Sequence, residues 1–269
     1  MYNLYKMDSS MDIPHACYLI QEMNKQRLRN STVCDYVLVL GDREFRAHKG
    51  VLAAVSPYFK TKFKECFDSS ACNRDELPHL ENTDNVEIFL EYVYTGWLNL
   101  SAEIMEDMLT LADYLCIDDL KMKCGEFMMS NLDIHNCLWV KFLADRFSVT
   151  NVQQRVVDFM SPIFDDIVQQ DEALLLPFQD LQSLLADEQL NYVQEFLLWE
   201  LVINWVKHDP DYRTEHLDDL CSYLNPSYLV PDHLEDFLKQ NDDLARTLMK
   251  DEVRKDVILK KRQQKTSGS

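Results

Sequence analysis

The feature that most limits the possible folds is a succession of helical patterns that begins in the first third of the chain. Only five glycines and eight prolines occur in 269 residues, which indicates helices joined by short connections. The clearest pattern has apolar residues at the i, i+3, i+4, i+7 and i+8 positions of one helix, and Gly96 follows as a stop signal. Its members are Val86, Phe89, Leu90, Val93 and Tyr94. The sequence therefore predicts a mainly helical fold.

A β-rich part lies near the start of the chain. Residues 35–40 (DYVLVL) favour a strand, Gly41-Asp42 favours a tight turn, and residues 43–47 favour a second short strand. A further short strand is predicted at residues 97–100. From Leu120 onward the pattern is helix after helix, which is typical of antiparallel helical hairpins. We expect an α/β module, with helices and a small sheet, followed by an all-α module.

Capping residues and periodicity predict the helices. Ser56-Pro57 is an N-cap followed by proline at the first helical position, and Ser101 is a second expected N-cap. Besides the helix that ends at Gly96, helices are predicted at residues 14–28, 49–55, 58–67, 104–115, 120–129, 136–147, 149–164, 177–185, 193–206, 215–224 and 231–239. In the first of them, Cys17, Ile20, Met23 and Asn24 are placed on one side, and Gln26, Arg27 and Arg29 on the other.

The net charge of −19 excludes several classes of protein. A nucleic-acid binder needs a basic stripe, and anionic membranes repel an acidic chain. No apolar run approaches the roughly 18 residues of a membrane span, and the N-terminus lacks the apolar core of a signal peptide. Residues 151–246 carry −15, residues 1–150 carry −8, and residues 247–269 carry +4. We expect a soluble intracellular protein with two modules and a basic tail.

No catalytic constellation is visible. The seven histidines form no pair with another His or Cys at i+3 or i+4, and glycine-rich phosphate loops, G-x-S-x-G and EF-hand patterns are absent from the sequence. The eight cysteines form no C-x-x-C pair and fall mostly in apolar segments, which favours reduced, structural thiols. We therefore expect no enzyme activity, no metal site and no cofactor.

Two surfaces remain as candidates for protein contact. The helix with Cys17, Ile20 and Met23 has no earlier segment to pack on, so it packs on its own module or on another chain. Phe63 and Phe67 form an i, i+4 pair at the end of a helix. Either both rings are core, or one is core and the other is offered to a partner.

The order of motifs resembles a known family. Residues 34–39 (CDYVLV), 45–59 (FRAHKGVLAAVSPYF), 91–96 (EYVYTG) and 109–115 (LTLADYL) are similar to the signature of the BTB (POZ) domain. Residues 136–147, 184–190 and 195–206 resemble a BACK domain. The resemblance covers roughly residues 13–250 and looks like the front half of a kelch-like protein. It implies a BTB domain at 13–130, a BACK domain at 131–250 and a basic, flexible tail at 251–269.

The family resemblance implies an adaptor for a cullin-3 RING ubiquitin ligase. Cullin-3 would bind the BTB face and the first BACK helices, through a hydrophobic-x-Glu motif that follows α-helical residues 58–63. Here Phe67 holds the hydrophobic position, Asp68 follows, and Ser69 stands where the family has Glu. The implied cullin-binding residues are Phe63, Phe67, Asp68, Ser69 and Tyr114.

The resemblance also implies a homodimer. Its surface would include Cys17, Ile20 and Met23, together with a buried Asp35 near His48. A partner substrate protein of unknown identity is implied, which a kelch propeller would capture. The chain ends without kelch repeats, so either it is a fragment or the natural protein lacks a propeller. The expected location is the cytoplasm, with the nucleus as a further location. The alternative function is a dimerising or transcription-associated BTB scaffold with weak or no cullin-3 binding.

Overall fold

The computed structural model describes residues 13–29, 31–65, 73–187 and 195–224, with only the backbone described at 195 and 196. The chain divides into two compact units. The first comprises residues up to Ser130 together with Arg146–Asn151, and the second comprises the remainder. No helix in the described ranges is long and apolar enough to cross a membrane.

The first unit combines helices with a three-stranded sheet. Its helices are α1 (Ile13–Leu28), α2 (Lys49–Val55), α3 (Pro57–Glu65), α4 (Asn85–Thr95), α5 (Ala102–Tyr114) and α6 (Asp118–Ser130). Its strands are β1 (Tyr36–Leu40), β2 (Arg43–Ala47) and β3 (Arg74–Glu76), in the order β2-β1-β3. The predicted α/β class of this module is confirmed.

The predicted hairpin is also confirmed. β1 and β2 pair antiparallel, from Tyr36 opposite Ala47 to Leu40 opposite Arg43. Gly41 has φ of 58°, in the left-handed region that tight hairpin turns require and that glycine adopts without a Cβ clash. β3 pairs parallel to β1, with Leu38 beside Asp75. This arrangement makes β1 the central strand.

The prediction of a strand at residues 97–100 is wrong. That segment has no regular structure, and Trp97 is 74% exposed. A strand needs the backbone of a neighbour, and the third place in the described sheet is taken by β3 instead. No local pattern indicates β3, because its three residues, Arg74, Asp75 and Glu76, are all charged.

The helical stripe identified in the sequence forms the centre of the first unit. On α4, Val86, Phe89 and Leu90 are fully buried, and Gly96 ends the helix with φ of 71°. α5 packs beside it with an equally buried row. That row comprises Met105, Met108, Leu109, Leu111 and Ala112. Ser101 takes the N-cap position of α5 as predicted, although its side chain makes no capping hydrogen bond.

The second unit is all helical in the described ranges, as predicted. Its helices are α7 (Cys137–Arg146, up to Asp145), α8 (Thr150–Met160, from Val152), α9 (Phe164–Ile167), α10 (Asp171–Leu174), α11 (Phe178–Ala186), α12 (Glu195–His208), α13 (Pro210–Arg213) and α14 (Leu217–Cys221). The single helix predicted over 149–164 is interrupted by a 3₁₀ turn at Ser161–Ile163. Pro162 causes the interruption, because proline removes a helical hydrogen bond. The helix predicted at 231–239 lies outside the described residues.

α12 organises the second unit. It packs against α10, α13 and α14, and it carries the buried Trp205. The Trp205 indole Nε1–H donates to the Leu176 carbonyl at 2.7 Å. The Arg213 guanidinium lies 4.3 Å from the centre of the Trp205 ring and donates to the carbonyls of Leu174 and Trp205. These contacts join α10, α12 and α13 through hydrogen bonds to backbone carbonyls.

Candidate functional site

The first candidate site is a row of five aromatic side chains from β1, α3 and the end of α5, which we call the aromatic cluster. Its members are Tyr36, Tyr58, Phe59, Phe63 and Tyr114. Phe63 stacks on Phe59 with ring centroids 5.5 Å apart, and Tyr58 lies 5.4 Å from Tyr114. Tyr36 and Phe59 are buried, Tyr58 and Phe63 are half-buried, and Tyr114 is 38% exposed. The aromatic cluster thus runs from the core to the surface.

Two of the residues implied in cullin binding belong to this cluster. Phe63 on α3 and Tyr114 on α5 are joined through Phe59 and Tyr58. Phe63 is half-buried on α3, and the choice between the two interpretations of the Phe63–Phe67 pair stays a prediction. The other three implied residues, Phe67, Asp68 and Ser69, lie outside the described residues. A role of these five residues in binding stays a prediction.

A carboxylate lies at the base of the aromatic cluster. The Tyr58 hydroxyl donates to Asp75 Oδ2 at 2.8 Å, and Lys62 Nζ lies 2.7 Å from the same oxygen. Lys62 Nζ also stands over the Tyr58 ring, 5.4 Å from its centre. Burial, together with the neighbouring Tyr114 and Asp75 groups, raises the pKa of Tyr58, so that its hydroxyl stays a neutral donor.

A second cation lies at the other end of the aromatic cluster. Lys49 Nζ stands 5.5 Å from the Phe63 ring centre and 5.9 Å from that of Tyr36, within the range of cation–π attraction. It also donates to Asn73 Oδ1 at 2.6 Å. Sequence reasoning missed both Lys49 and Asp75, because only the tertiary fold brings them to the aromatic rings.

The second candidate site is the exposed part of α1. Within the described chain, α1 fully buries only Asn24 and Arg27. Of the implied dimer residues, Cys17 is exposed and Ile20 and Met23 are half-buried. Tyr18 and Leu19 are 56% and 50% exposed. The first half of α1 therefore presents apolar surface in the single chain.

α1 is attached to α4 by polar groups. Arg27 Nη1 donates to Glu87, its Nη2 lies 3.7 Å from Glu91, and Asn24 Nδ2 donates to Glu91 at 2.8 Å. The prediction that Arg27 lies on the side opposite Met23 and Asn24 is wrong. Residues three and four apart share a helix face, and the carboxylates of α4 allow the guanidinium to be buried there.

His48 connects α1 to the core through both of its ring nitrogens. Nε2 lies 3.2 Å from Gln26 Oε1 and 3.7 Å from Cys34 Sγ, and Nδ1 lies 2.8 Å from the Tyr94 hydroxyl. The same hydroxyl accepts from the His48 backbone N–H. Burial lowers the pKa of His48, and the nearby Asp35 opposes that shift only in part. His48 is thus a buried residue whose neutral form is favoured.

The burial of Asp35 at the implied dimer surface stays a prediction, and in the single chain the residue is not buried. Asp35 is exposed at the start of β1, and its Oδ1 accepts from the Lys49 backbone N–H at 2.8 Å. The first N–H groups of a helix lack intrahelical partners, and His48 at the N-cap of α2 makes no side-chain cap. Asp35 supplies that missing acceptor, and this contact explains why it lies near His48.

The buried thiols are not poised for chemistry. Burial raises the pKa of Cys124 to about 12 and that of Cys137 to about 11, which keeps both protonated and unreactive. All six cysteines in the described ranges are free. Within the same ranges, no group of three or more His, Cys, Asp or Glu side chains is placed to hold a metal ion.

Comparison with known proteins identifies two domain families in the chain. The family BTB/POZ domain matches residues 23–132, and the family BTB And C-terminal Kelch (BACK) matches residues 137–239. Among solved structures, the BTB domain of zebrafish PATZ1 is 25% identical, with a TM-score of 0.38. It covers 48% of this chain and 100% of its own.

Two human relatives match nearly the whole chain. Kelch-like protein 11 is 30% identical over 257 residues, which are 91% of this chain and 36% of that protein. Gigaxonin is 30% identical over 242 residues, which are 89% of this chain and 40% of that protein. The chain therefore spans less than half the length of these relatives.

Proposed function

Because the chain belongs to the BTB–BACK proteins of the kelch-like family, we propose that it is a non-enzymatic, dimeric substrate adaptor of a cullin-3 RING ubiquitin ligase. The family match supports the adaptor class. In this function, the chain would bind cullin-3 through the BTB face and the first BACK helices, α7 and α8. A substrate protein, held by a separate module, would then lie near the catalytic end of the ligase.

The observation that carries the cullin proposal is the aromatic cluster. Phe63 and Tyr114 come from distant parts of the sequence, yet both lie in one row of rings with a partly exposed end. Partly exposed aromatic side chains over a packed base are typical anchors of protein interfaces. Lys62 and Asp75 pair with each other beside the rings, and Lys49 adds a cation at the Phe63 end of the cluster.

The dimer proposal is supported by α1. Its exposed apolar residues, including the neighbours Tyr18 and Leu19, form the kind of surface that a partner chain would cover. A second copy of the chain fits, because a two-fold dimer buries the same surface on both copies. The dimer would present two substrate positions and raise the effective concentration for substrates with two sites.

Calorimetric titration with the cullin-3 N-terminal domain tests the proposal. We expect binding at tens of micromolar protein, corresponding to about −6 kcal/mol or stronger. Tyr114→Ala should weaken binding at least tenfold, whereas Trp97→Ala, which removes an exposed ring of the same unit, should not. The absence of binding by the wild-type chain would reject the cullin role.

Light scattering tests the dimer separately. The chain has a mass of 31.7 kDa, so a dimer should give twice that value. Ile20→Asp places a charge on the half-buried side of α1 and should shift the mass toward the monomer. Gln21→Asp, on the exposed side of the same helix, is the matched control.

A scaffold that does not bind cullin-3 is the second candidate, and it is favoured by Ser69 at the position where the family has Glu. Ser69→Glu distinguishes the two. Stronger binding of this variant would indicate a weakened contact in the natural chain, whereas no binding by either form would favour the scaffold.

A further inference from the structure

Asp75 lies on the short edge strand β3, yet its charged carboxylate is on the buried face of the sheet. Asp75 pairs in register with Leu38, so its side chain shares the buried face of the sheet with Leu38 and Tyr36. The carboxylate is only 11% exposed. Its neighbour Arg74 points to the opposite face, where it forms an exposed ion pair with Glu44.

Asp75 fixes two side chains of α3 through one oxygen. Oδ2 accepts from the Tyr58 hydroxyl at 2.8 Å and pairs with Lys62 Nζ at 2.7 Å, and Lys62 Nζ lies 3.2 Å from the same hydroxyl. The three groups close a triangle between β3 and α3. The orientation of the Tyr58 side chain is therefore fixed by hydrogen bonding at its hydroxyl and by packing of its ring against Phe59.

Tyr114 depends on Tyr58 for its position. Its hydroxyl donates a long hydrogen bond to the Glu76 carbonyl at 3.4 Å and also interacts with the Tyr58 hydroxyl. Its ring lies against Tyr58, with centroids 5.4 Å apart and planes tilted by 42°. A change in the orientation of Tyr58 would thus be transmitted to the exposed end of the aromatic cluster.

Stability alone does not explain the carboxylate. Replacing a buried ion pair by apolar residues of similar volume is often neutral or stabilising, so the core has no need of Asp75 as such. Fixing a binding surface in one arrangement has a different benefit, because less conformational freedom is then lost when a partner binds.

We propose that Asp75 is a positioning residue of the aromatic cluster: it fixes Tyr58 and Lys62, so that Tyr114 is presented to the partner in a single orientation. This inference rests on the proposed function, because the partner is the cullin-3 N-terminal domain. Asp75 itself need not touch that partner.

The test combines affinity with a direct probe of Tyr114 in the full chain. Asp75→Ala and Tyr58→Phe each remove the hydrogen bond, and the double variant closes a thermodynamic cycle. Asp75→Asn keeps an acceptor for Tyr58 and serves as the conservative variant. Arg74→Gln, on the same strand but the opposite face, is the matched control. 3-Fluorotyrosine at position 114 reports the environment of that ring by fluorine NMR without any partner.

We expect Asp75→Ala and Tyr58→Phe each to weaken cullin-3 binding about tenfold, with the double variant no weaker than either alone. Asp75→Asn should recover most of the affinity. The fluorine signal should shift or broaden in Asp75→Ala and stay unchanged in Arg74→Gln. A melting temperature within a few degrees of the wild type confirms that the variants are folded.

Several outcomes would overturn the proposal. If the wild type binds cullin-3 and Asp75→Ala binds it equally well, the position that Asp75 imposes on Tyr58 and Tyr114 is not required for binding. A loss of affinity with an unchanged fluorine signal would mean that Asp75 contacts the partner directly. If the wild type does not bind cullin-3, the proposed function is wrong, and the fluorine signal alone decides whether Asp75 positions Tyr114.

Discussion

The guanidinium of Arg27 on α1 donates to the carboxylate of Glu87 on α4, and this ion pair joins the proposed dimer helix to its own unit. The Arg27 side chain is 2% exposed, whereas that of Glu87 is 44% exposed. The two buried residues of α1, Asn24 and Arg27, are therefore held by polar contacts, whereas α4 packs on α5 through apolar side chains. Contacts of this kind weaken as salt screens the charges, although burial of one partner limits the screening.

Arg27→Met should loosen α1 without unfolding the unit. The variant keeps the length of the side chain but removes the charge-assisted hydrogen bonds, each of which contributes about 1.5–3 kcal/mol. Hydrogen exchange of the α1 amides should become at least tenfold faster, while the amides of α4 and α5 keep their protection. Lys25→Met, which breaks an exposed pair with Glu22, should change little. Equal exchange in both variants would contradict this view of α1.

His48 should make stability depend on pH below neutrality. Burial lowers its pKa in the folded state, so the unfolded chain binds the proton more readily. The stability that depends on neutral His48 is present above about pH 6.5 and is lost as the pH falls below that value. His48→Gln, which can still bond to Tyr94 and Gln26, should show a smaller loss between pH 6.5 and 5 in urea unfolding. His79→Gln replaces an exposed histidine and should follow the wild type.

Local patterns predicted the parts of the fold that depend on local contacts. The stripe of α4 and its stop at Gly96 agree with the structure, because helical periodicity and the left-handed conformation of glycine are properties of neighbouring residues. The hairpin of β1 and β2 was predictable for the same reason. β3 was not, since its charged residues carry no alternation and its pairing is decided by a distant strand.

The candidate sites were predictable only in part. The family resemblance supplied Phe63 and Tyr114, and the structure places both in one cluster. It could not supply Asp75 or Lys62, because their roles arise from a carboxylate on β3 meeting a lysine on α3. The burial of Arg27 was missed since a charged residue is usually placed on the solvent side, and only the carboxylates of α4 make the opposite arrangement favourable.

Ser56→Ala should be among the more destabilising small substitutions. Ser56 is 2% exposed, its Oγ accepts from the Phe59 N–H at the start of α3, and its hydroxyl donates to the Leu115 carbonyl at 2.6 Å. Loss of the cap and of a partner for a buried carbonyl should cost about 2–3 kcal/mol. Ser101→Ala is the control, because Ser101 makes no capping hydrogen bond. Equal melting temperatures would contradict the prediction.

Lys141 should be important for the second unit. It is 5% exposed and pairs with Asp145 and Asp187, each at 2.8 Å. Burial alone would lower the pKa of Lys141, but the two carboxylates outweigh it and raise that pKa. Lys141→Met should cost about 1–3 kcal/mol, less than for a fully buried pair because Asp145 is half-exposed. Asp145→Asn should cost less than Asp187→Asn, and a reversed order in urea unfolding would contradict this assignment.

Cys116 should be replaceable by glycine with a gain in stability. It follows α5 with φ of 55°, and its successor Ile117 donates to the Ala112 carbonyl at 2.8 Å, which is the pattern of a Schellman cap. A side chain in the left-handed region costs roughly 1 kcal/mol, so Cys116→Gly should raise stability by up to about that amount. Gly96→Ala is the converse test: nothing lies within 4 Å of the added Cβ, so its cost should be backbone strain alone, of about 1 kcal/mol. If calorimetric unfolding gave a destabilised Cys116→Gly, the thiol itself would have to stabilise the turn.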